Sequence, residues 1–180
     1  VEALYLDAIA RARDYIYLEN QYFTSDAIGK ALERRLAEAS GPEIVVVTRL
    51  LSHGWLEEMT MHVLRERIVR RLRAADRHGR FHVYYPHIDG LAAGTCIDIH
   101  SKIMLADDAF LRIGSANLNN RSMGLDTECD LALEARGRQD VAQTIRRFRD
   151  RLLAEHAGVP LERASAACDR HASPAAAIAA

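Results

Sequence analysis

One stretch of the chain, IHSKIMLADDAFLRIGSAN, brings together residue types that suit chemistry on a phosphate group. His100 can act as a nucleophile or as a general acid or base, and Lys102 adds a fixed positive charge two positions further on. This pair suits attack on a phosphoryl group, whose oxygens demand more positive charge as the reaction proceeds. Ser115 and Asn117 can donate hydrogen bonds to phosphate oxygens, and Gly114 permits close approach of the backbone.

The alternation of side chains in this stretch predicts a β-strand. One side of an extended chain would carry Ile97, Ile99, Ser101, Ile103 and Leu105, and the other side would carry Asp98, His100 and Lys102. We therefore expect a strand that buries its apolar side and displays His100 and Lys102 together on its other face. Taken alone, a histidine and a lysine on a strand face are usually solvated polar residues, so only the combination with Gly114, Ser115 and Asn117 indicates a phosphate site.

Length and composition predict one globular domain with its own core. The chain has 180 residues and a formal net charge of −1, which disfavours non-specific nucleic-acid binding but leaves local basic patches open. No apolar run is long enough to cross a bilayer, and the three cysteines lack metal-ligand spacing, so we interpret them as free thiols. We expect a cytoplasmic protein or one that associates peripherally with a membrane.

Alternating strand and helix patterns predict an α/β fold, with a mixed β-sheet flanked by helices on both faces. The predicted strands are residues 15–18, 43–48, 81–85 and 129–135, and two further strands joined at Asp107-Asp108. The predicted helices are residues 3–13, a segment from Ser25 to Ser40, residues 56–76 and residues 141–152. The run EIVVVT in the second strand is nearly all β-branched, which is typical of a central strand buried on both faces.

The helices and strands predict one domain over residues 1–162, followed by a tail over residues 163–180. The tail is rich in alanine and serine and carries few large apolar residues. We expect it to be loosely held or disordered, with a short helix as the alternative.

The motif residues resemble a known family. The pattern His100-x-Lys102-x4-Asp107-x6-Gly114-Ser115-x-Asn117 resembles the signature of the phospholipase D superfamily, with every specified position filled. The segments ENQYF (19–23) and NRSM (120–123), together with Glu128, also resemble the phospholipase branch of that family. The resemblance therefore extends over about residues 15–134, most of the predicted domain.

The resemblance implies a specific reaction. Members of the family cleave phosphodiesters through a covalent phosphohistidine, without a metal cofactor. Two copies of the motif meet at one active site, where one histidine is the nucleophile and the other is a general acid and then a general base.

The resemblance also implies roles for residues of this chain. Lys102 and Asn117 would hold the phosphate with help from Ser115, and Glu128 would accept a hydrogen bond from His100 and orient its ring. Asp107 would support its loop more than it touches substrate. The candidate catalytic residues are His100, Lys102, Asn117, Glu128 and Asp107, and the candidate substrate-binding residues are Gly114, Ser115, Glu19, Asn20, Gln21 and Tyr22.

The chain holds a single copy of the motif, because no histidine other than His100 is followed by a lysine two residues later. Together with the resemblance, this implies the C-terminal half of a two-motif enzyme with an N-terminal motif-bearing lobe as its partner. In two-lobed members of the family the histidine of the second motif is usually the general acid, so the resemblance assigns that role to His100. The alternative is a one-motif protein that completes its site as a homodimer, in which His100 serves either role. The chain begins at Val1 without an initiator methionine, which fits a piece of a longer protein but also fits processing.

The preferred function is hydrolysis of a phospholipid headgroup, with transfer to an alcohol as a side reaction. The alternatives are a phosphatidyltransferase of the cardiolipin synthase type, a one-motif dimeric nuclease and an inactive half-domain used for assembly. The neutral overall charge disfavours nucleic acid as the partner. Trp55, Leu56 and Met59 are candidates for contact with a lipid surface, although such residues at a helix start more often belong to the core.

Overall fold

The computed structural model describes residues 1–51, 58–171 and 173–179 of the chain. Within these residues a six-stranded sheet lies in the order β3-β2-β1-β4-β5-β6. The strands are β1 (Tyr15–Asn20), β2 (Glu43–Val47), β3 (Phe81–Tyr84), β4 (Lys102–Ala106), β5 (Phe110–Gly114) and β6 (Asp130–Glu134). Strands β1 to β3 pair in parallel, whereas β4 pairs antiparallel with both β1 and β5, and β5 pairs antiparallel with β6. The predicted mixed sheet is confirmed.

Helices cover both faces of the sheet, as predicted. They are α1 (Glu2–Arg11), α2 (Asp26–Ala37), α3 (Val63–Ala75), α4 (Asn120–Gly124), α5 (Gln139–Ala157), α6 (Leu161–His171) and α7 (Pro174–Ala179), and a π-helical turn (Glu58–His62) precedes α3. Helices α1, α2 and α3 pack on one face in a core that includes Leu18 and Met104. Helices α5, α6 and α7 pack on the other face in a core that includes Tyr17 and Leu105.

Strand β2 shows why both faces must be covered. Ile44 and Val46 lie in the first core, and Val45 and Val47 lie in the second. Because successive side chains of a strand point to opposite faces, a run of β-branched residues has to be buried on both sides. The prediction of a central strand for the EIVVVT run is confirmed.

Strand β4 begins at Lys102, so the prediction of a strand that includes His100 is wrong. Strand β1, the partner of β4, ends at Asn20, and Asn20 is the residue that pairs with Lys102. His100 therefore has no residue of β1 to pair with and lies in an irregular segment before the strand. The alternation holds within the strand itself, since Ile103 and Met104 lie in different cores.

Asp107 occupies the turn between β4 and β5, in the left-handed region with a φ of 53°. Its carboxylate accepts hydrogen bonds from the backbone N–H groups of Arg13 (3.1 Å), Asp14 (2.9 Å) and Tyr15 (3.0 Å). At a rise of about 3.4 Å per residue, roughly 17 Å of strand separates Asp107 from Lys102. Asp107 therefore does not belong with the predicted catalytic residues, and its contacts fit the predicted role in supporting a loop.

The expectation of a loosely held tail is wrong, because α6 and α7 order most of it. Cys168 and Ala175 are buried in the second core. The carboxylate of Glu43 accepts hydrogen bonds from the Ser173 hydroxyl (2.8 Å) and the Ala175 backbone N–H (3.1 Å). Small alanine side chains allow the helices to pack closely, so the tail needs few large apolar residues. The alternative of a short helix was closer to the structure.

None of the described helices is long and apolar enough to cross a membrane. Most of the predicted loop at residues 50–55 lies outside the described residues, as do Trp55 and Leu56, two of the candidates for lipid contact. Met59, the third candidate, is exposed. The described part of the predicted helix at residues 56–76 is confirmed as the π-helical turn followed by α3.

Gly114 is required by the close approach of β6, and this requirement can be tested. A Cβ atom at Gly114 would lie 2.6 Å from the carbonyl oxygen of Cys129 and 2.8 Å from the Cα atom of Asp130. We expect Gly114→Ala to lower the free energy of unfolding by about 1–3 kcal/mol in chemical denaturation. Gly124→Ala is the matched control, because a Cβ atom at Gly124 would meet no atom within 4 Å. Equal stability of the two variants would contradict the explanation.

Candidate active site

A single open cavity of about 650 Å³ collects most of the predicted site residues at one end of β4. The predicted residues that line it are Tyr22, His100, Lys102, Gly114, Ser115, Asn117 and Glu128. The lining residues that were not predicted are Met61, Asn119, Arg121, Ser122, Asp126 and Thr127. Four predicted residues lie outside its lining: Glu19, Asn20, Gln21 and Asp107.

Lys102 is the first residue of β4 and its side chain is almost fully buried, with 7% exposed. Burial lowers the pKa of its ammonium group, and the carboxylates of Asp98 and Glu128 oppose that shift. The ammonium donates hydrogen bonds to Oε1 of Gln21 (3.2 Å) and to the backbone carbonyl of His100 (2.6 Å). An ammonium group has three N–H donors, so one remains for a phosphate oxygen. Lys102 is thus a fixed cation at the inner end of the cavity.

His100 lies beside Lys102 but is exposed. Within the described part of the chain, its imidazole ring makes no hydrogen bond, and its backbone carbonyl is held by Lys102. Glu128, the predicted partner of the ring, accepts a hydrogen bond from the Ser115 hydroxyl instead, at 2.5 Å. The predicted contact between Glu128 and His100 is therefore not formed in this structure, although both residues line the cavity.

Ser115 links two parts of the cavity wall. Its hydroxyl donates to Glu128 and accepts a hydrogen bond from the backbone N–H of Cys129 at 2.9 Å. Its own backbone N–H donates to the carbonyl of Cys129 at 3.0 Å. These contacts give Ser115 a structural task, because they hold the carboxylate of Glu128 at the cavity.

Asn117 and Asn20 have different surroundings. Oδ1 of Asn117 is buried and has no hydrogen-bond partner among the described residues, although Asn117 lines the cavity. Such an orphaned acceptor is costly unless a ligand or water satisfies it. Asn20 is fully buried, and its Oδ1 accepts from the backbone N–H groups of Tyr22 and Leu118, each at 3.1 Å. Asn20 therefore holds the backbone of cavity-lining Tyr22 and of Leu118 without lining the cavity itself. The prediction that Asn20 contacts substrate does not fit this position.

Glu19 lies outside the cavity, in a buried polar cluster. Its carboxylate accepts hydrogen bonds from the Tyr17 hydroxyl (2.8 Å), from Nε2 of His156 (2.9 Å) and from the Ser101 hydroxyl. Burial alone would raise the pKa of Glu19, but these bonds outweigh it and hold the pKa below its ordinary value of 4.5. The bond to Glu19 is also the main reason why the pKa of His156 lies above its ordinary value of 6.5.

Arg112 is a supporting residue that was not among the predicted site residues. Its side chain is only 1% exposed and donates hydrogen bonds to the carbonyl of Lys102 (2.9 Å) and to the carboxylate of Asp130. The guanidinium also lies over the ring of Tyr5, 4.8 Å from its centroid. The signal was present in the sequence, because an arginine inside the apolar strand FLRIG needs buried partners.

The described residues contain no group of three or more histidine, cysteine or acidic side chains that could hold a metal ion. The cavity offers a different set of groups: the ammonium of Lys102, the imidazole of His100 and the amide of Asn117. These groups match the charge and the acceptor atoms of a phosphate, while Glu128 supplies a carboxylate at the same wall.

Comparison with known proteins gives consistent similarities. A family model described as "Cardiolipin synthase, PLD-like domain" matches residues 5–152. A phospholipase D from Phytophthora infestans is 28% identical in an alignment of 169 positions that covers 74% of this chain and 9% of that protein. Phospholipase D A from Dictyostelium discoideum is 27% identical in an alignment of 204 positions that covers 88% of this chain and 16% of that protein. The chain thus spans less than a fifth of the length of these two relatives.

Two solved structures share the fold. The phospholipase D family member Nuc from Salmonella typhimurium aligns with a TM-score of 0.52 and 17% identity, over 79% of this chain and 84% of that chain. Phosphatidylserine synthase from Haemophilus influenzae aligns with a TM-score of 0.62 and 13% identity, over 84% of this chain and 34% of that chain. The first is close to this chain in length, whereas the second is much longer.

The Glu19–His156 pair predicts a pH-dependent stability. Because the pKa of His156 is higher in the folded state than its ordinary value of 6.5, protonation of His156 stabilises the fold. This stabilisation is complete below about pH 6.5 and is lost as the pH rises through the pKa of the folded state. The lowered pKa of Glu19 gives stability that is lost as the pH falls below about 4.5. The pair should therefore stabilise the fold most between about pH 4.5 and 6.5.

We expect His156→Gln to reduce the difference in the free energy of unfolding between about pH 6 and pH 8.5, measured by chemical denaturation. His78→Gln, at an exposed position, should keep the profile of the unchanged protein. An identical pH dependence in all three proteins would exclude the pair as its source.

Proposed function

The chain belongs to the phospholipase D superfamily, and we propose that it is the phosphodiesterase lobe of a phospholipase D that acts on phospholipid headgroups through a phosphohistidine. The observation that supports this most is the geometry of Lys102. Its buried ammonium keeps one donor for a phosphate, next to His100 and Asn117 in the same cavity. A cation held in place before substrate arrives stabilises the charge that develops on the phosphoryl oxygens.

The proposed reaction needs two histidines and conserves every proton. The histidine of a second motif attacks phosphorus, a P–N bond forms, and the bond from phosphorus to the headgroup oxygen breaks. His100, in its protonated form, gives its proton to that leaving oxygen. In the second step neutral His100 takes a proton from water, whose oxygen attacks phosphorus and displaces the nucleophilic histidine. If an alcohol replaces water, the same step transfers the phosphatidyl group.

The second motif would come from another lobe, either the N-terminal half of the same protein or a second copy of this chain. The curated relatives are long enough to hold a further lobe, since this chain spans 9% and 16% of two of them. The similarity to Nuc, a chain of comparable length, keeps the homodimer as the alternative.

An exposed apolar strip beside the cavity supports such a partner. The strip consists of Ile113 on β5 and Leu131 and Leu133 on β6, which share one face because Ile113 pairs with Leu131. Leu131 is 77% exposed although it lies in a strand, and β6 is an edge of the sheet. The strip adjoins the cavity through Gly114, the neighbour of Ile113. Contiguous exposed apolar residues at such a position are typical of an interface.

A phosphatidyltransferase of the cardiolipin synthase type is the second candidate, because the matching family model carries that description. Both candidates share the first step and differ only in whether water or an alcohol accepts the phosphatidyl group. The proposed substrate places the protein at a membrane surface in either case. Exposed Met59 would be near that surface, since Met61 of the same turn lines the cavity.

Replacement of Lys102 tests the proposed phosphate site. We expect Lys102→Met, in the protein assembled with its second lobe, to lower kcat/KM for a phosphatidylcholine substrate by about 10² to 10³-fold. Lys30→Met is the matched control, because Lys30 is the only other lysine and pairs with Asp26 on the exposed side of α2. Equal activity of the two variants would remove Lys102 from the site.

A substrate with an activated leaving group can show whether His100 acts as the general acid or as the nucleophile. A p-nitrophenyl phosphodiester has a leaving group that needs no proton, so His100→Asn should still give a burst of p-nitrophenol while it loses turnover of phosphatidylcholine by about 10² to 10⁴-fold. Absence of the burst would show that His100 forms the covalent bond. A phosphorylated histidine found by mass spectrometry in the second lobe would complete the assignment.

The apolar strip can be tested through assembly. We expect Leu131→Asp to weaken association with the second motif-bearing lobe at least about tenfold, because a charge would be buried in the interface. Ile88→Asp is the control, since Ile88 is also exposed but follows β3 at the opposite edge of the sheet. Sedimentation measures the complex, and a homodimer would appear as twice the 20.1 kDa mass of the chain. Unchanged association in Leu131→Asp would exclude the strip.

A further inference from the structure

We propose that Glu19 and Arg49 are positioning residues that fix the segment before β4 from two sides and so set the place of His100. This inference deepens the proposed function, because it concerns the same site. The segment contains Asp98, His100 and Ser101 and has no regular secondary structure. Without the hydrogen bonds of a sheet, its position depends on side-chain contacts.

The first anchor holds the segment at Ser101, the residue after His100. The Ser101 hydroxyl donates to Oε1 of Glu19, while Oε2 of Glu19 accepts hydrogen bonds from Tyr17 (2.8 Å) and His156 (2.9 Å). Glu19 is only 4% exposed and lies in β1, so its carboxylate is fixed by the sheet and by α5 together. A charged group with three donors around it is a rigid attachment point.

The second anchor holds the segment at Asp98, two residues before His100. Nη1 of Arg49 lies 3.3 Å from Oδ1 of Asp98, and the Arg49 side chain is 1% exposed. The guanidinium also lies over the ring of Tyr22, 4.9 Å from its centroid. Because Tyr22 lines the cavity, Arg49 connects the wall of the site with the segment that carries His100.

These contacts differ from those of a catalytic residue. Neither Glu19 nor Arg49 lines the cavity, and Glu19 contacts Ser101 rather than His100. The ring of His100 makes no hydrogen bond within the described chain, so the backbone of the segment determines where the ring can reach. Lys102 adds a bond to the carbonyl of His100 from the cavity, and the side chain of Ile99 is buried in the second core. The two anchors add polar contacts at Asp98 and Ser101, on either side of His100.

The test uses two substitutions, each of which removes one anchor. Both lie in the segment itself, so the buried side chains of Glu19 and Arg49 stay unchanged. Ser101→Ala detaches the segment from Glu19, and Asp98→Asn weakens its attachment to Arg49. Asp108→Asn is the matched control, because Asp108 also accepts from a tyrosine hydroxyl (Tyr15, 3.0 Å) and from Arg149 (3.1 Å), but lies at the far end of β4. Ser101→Thr keeps the hydroxyl and should restore the contact.

The first readout is the ring-proton signals of His100 in the NMR spectrum of this chain. We expect them to shift and broaden in Ser101→Ala and in Asp98→Asn, to shift further in the double variant and to return in Ser101→Thr. Asp108→Asn should leave them unchanged even where it lowers the Tm. Unchanged His100 signals in the double variant, with native amide signals for β4, would overturn the proposal.

The second readout is catalysis by the protein assembled with its second lobe. Misplacing His100 while Lys102 and Asn117 stay in position should lower kcat by about tenfold with KM changed less than about twofold. A rise in KM with kcat unchanged would contradict a positioning role. If the assembled protein cleaves no phosphodiester, the proposed function fails, while the NMR comparison still decides whether the anchors position His100.

Discussion

The antiparallel pairing of β1 with β4 is the constraint on which the site depends. It places Asn20 opposite Lys102 and Glu19 opposite Ile103, although about 80 residues of chain separate the two strands. Where β1 ends, its next residue, Gln21, accepts a hydrogen bond from the ammonium of Lys102. A shift of one residue in this register would turn Lys102 to the other face of the sheet, away from Gln21 and from the cavity. The register therefore determines the position of the buried cation at the cavity.

Buried charge at this end of the sheet is tolerated because each charged group has partners in the same layer. Lys102 contacts two oxygens, Arg112 contacts the carbonyl of Lys102 and a carboxylate, and Glu19 receives three donors. If one partner is removed, the remaining charge is buried in a medium of low dielectric constant without that partner. The resulting loss of stability is larger than the loss from breaking an ion pair on the surface. The buried polar contacts of Lys102, Arg112 and Glu19 therefore support the cavity. Apolar side chains in their place would remove the cation at Lys102.

The fold could be predicted from the sequence because its signals are local. The β-branched run of β2 and the alternation around Ile103 reflect side chains that meet one core or the other within a few residues. The failures have a common cause in long-range contacts. His100 was assigned to a strand because Ile97 and Ile99 continue the alternation, and only the end of β1 at Asn20 reveals that no pairing strand remains. Glu19 is a predicted cavity residue through the family resemblance of the segment ENQYF, whereas its partner in the structure, His156, lies 137 residues away and leaves no local signal.

Lys102 and His100, the two central residues of the site, differ in how firmly this chain alone holds their side chains. Lys102 is buried and held by two hydrogen bonds, whereas the ring of His100 is exposed and makes no hydrogen bond within the described chain. Glu128, which the family resemblance assigns to that ring, is held by Ser115. Under the proposed function, Lys102 would be a fixed binding group for the phosphate, whereas His100 would be held in place only through its backbone. Covering the apolar strip beside Gly114 would also exclude water from the cavity, which strengthens every charge interaction inside it. Assembly with the second lobe would then order the proton-transfer group, whereas the fold of this lobe alone would already hold Lys102 where it could stabilise charge on the phosphate.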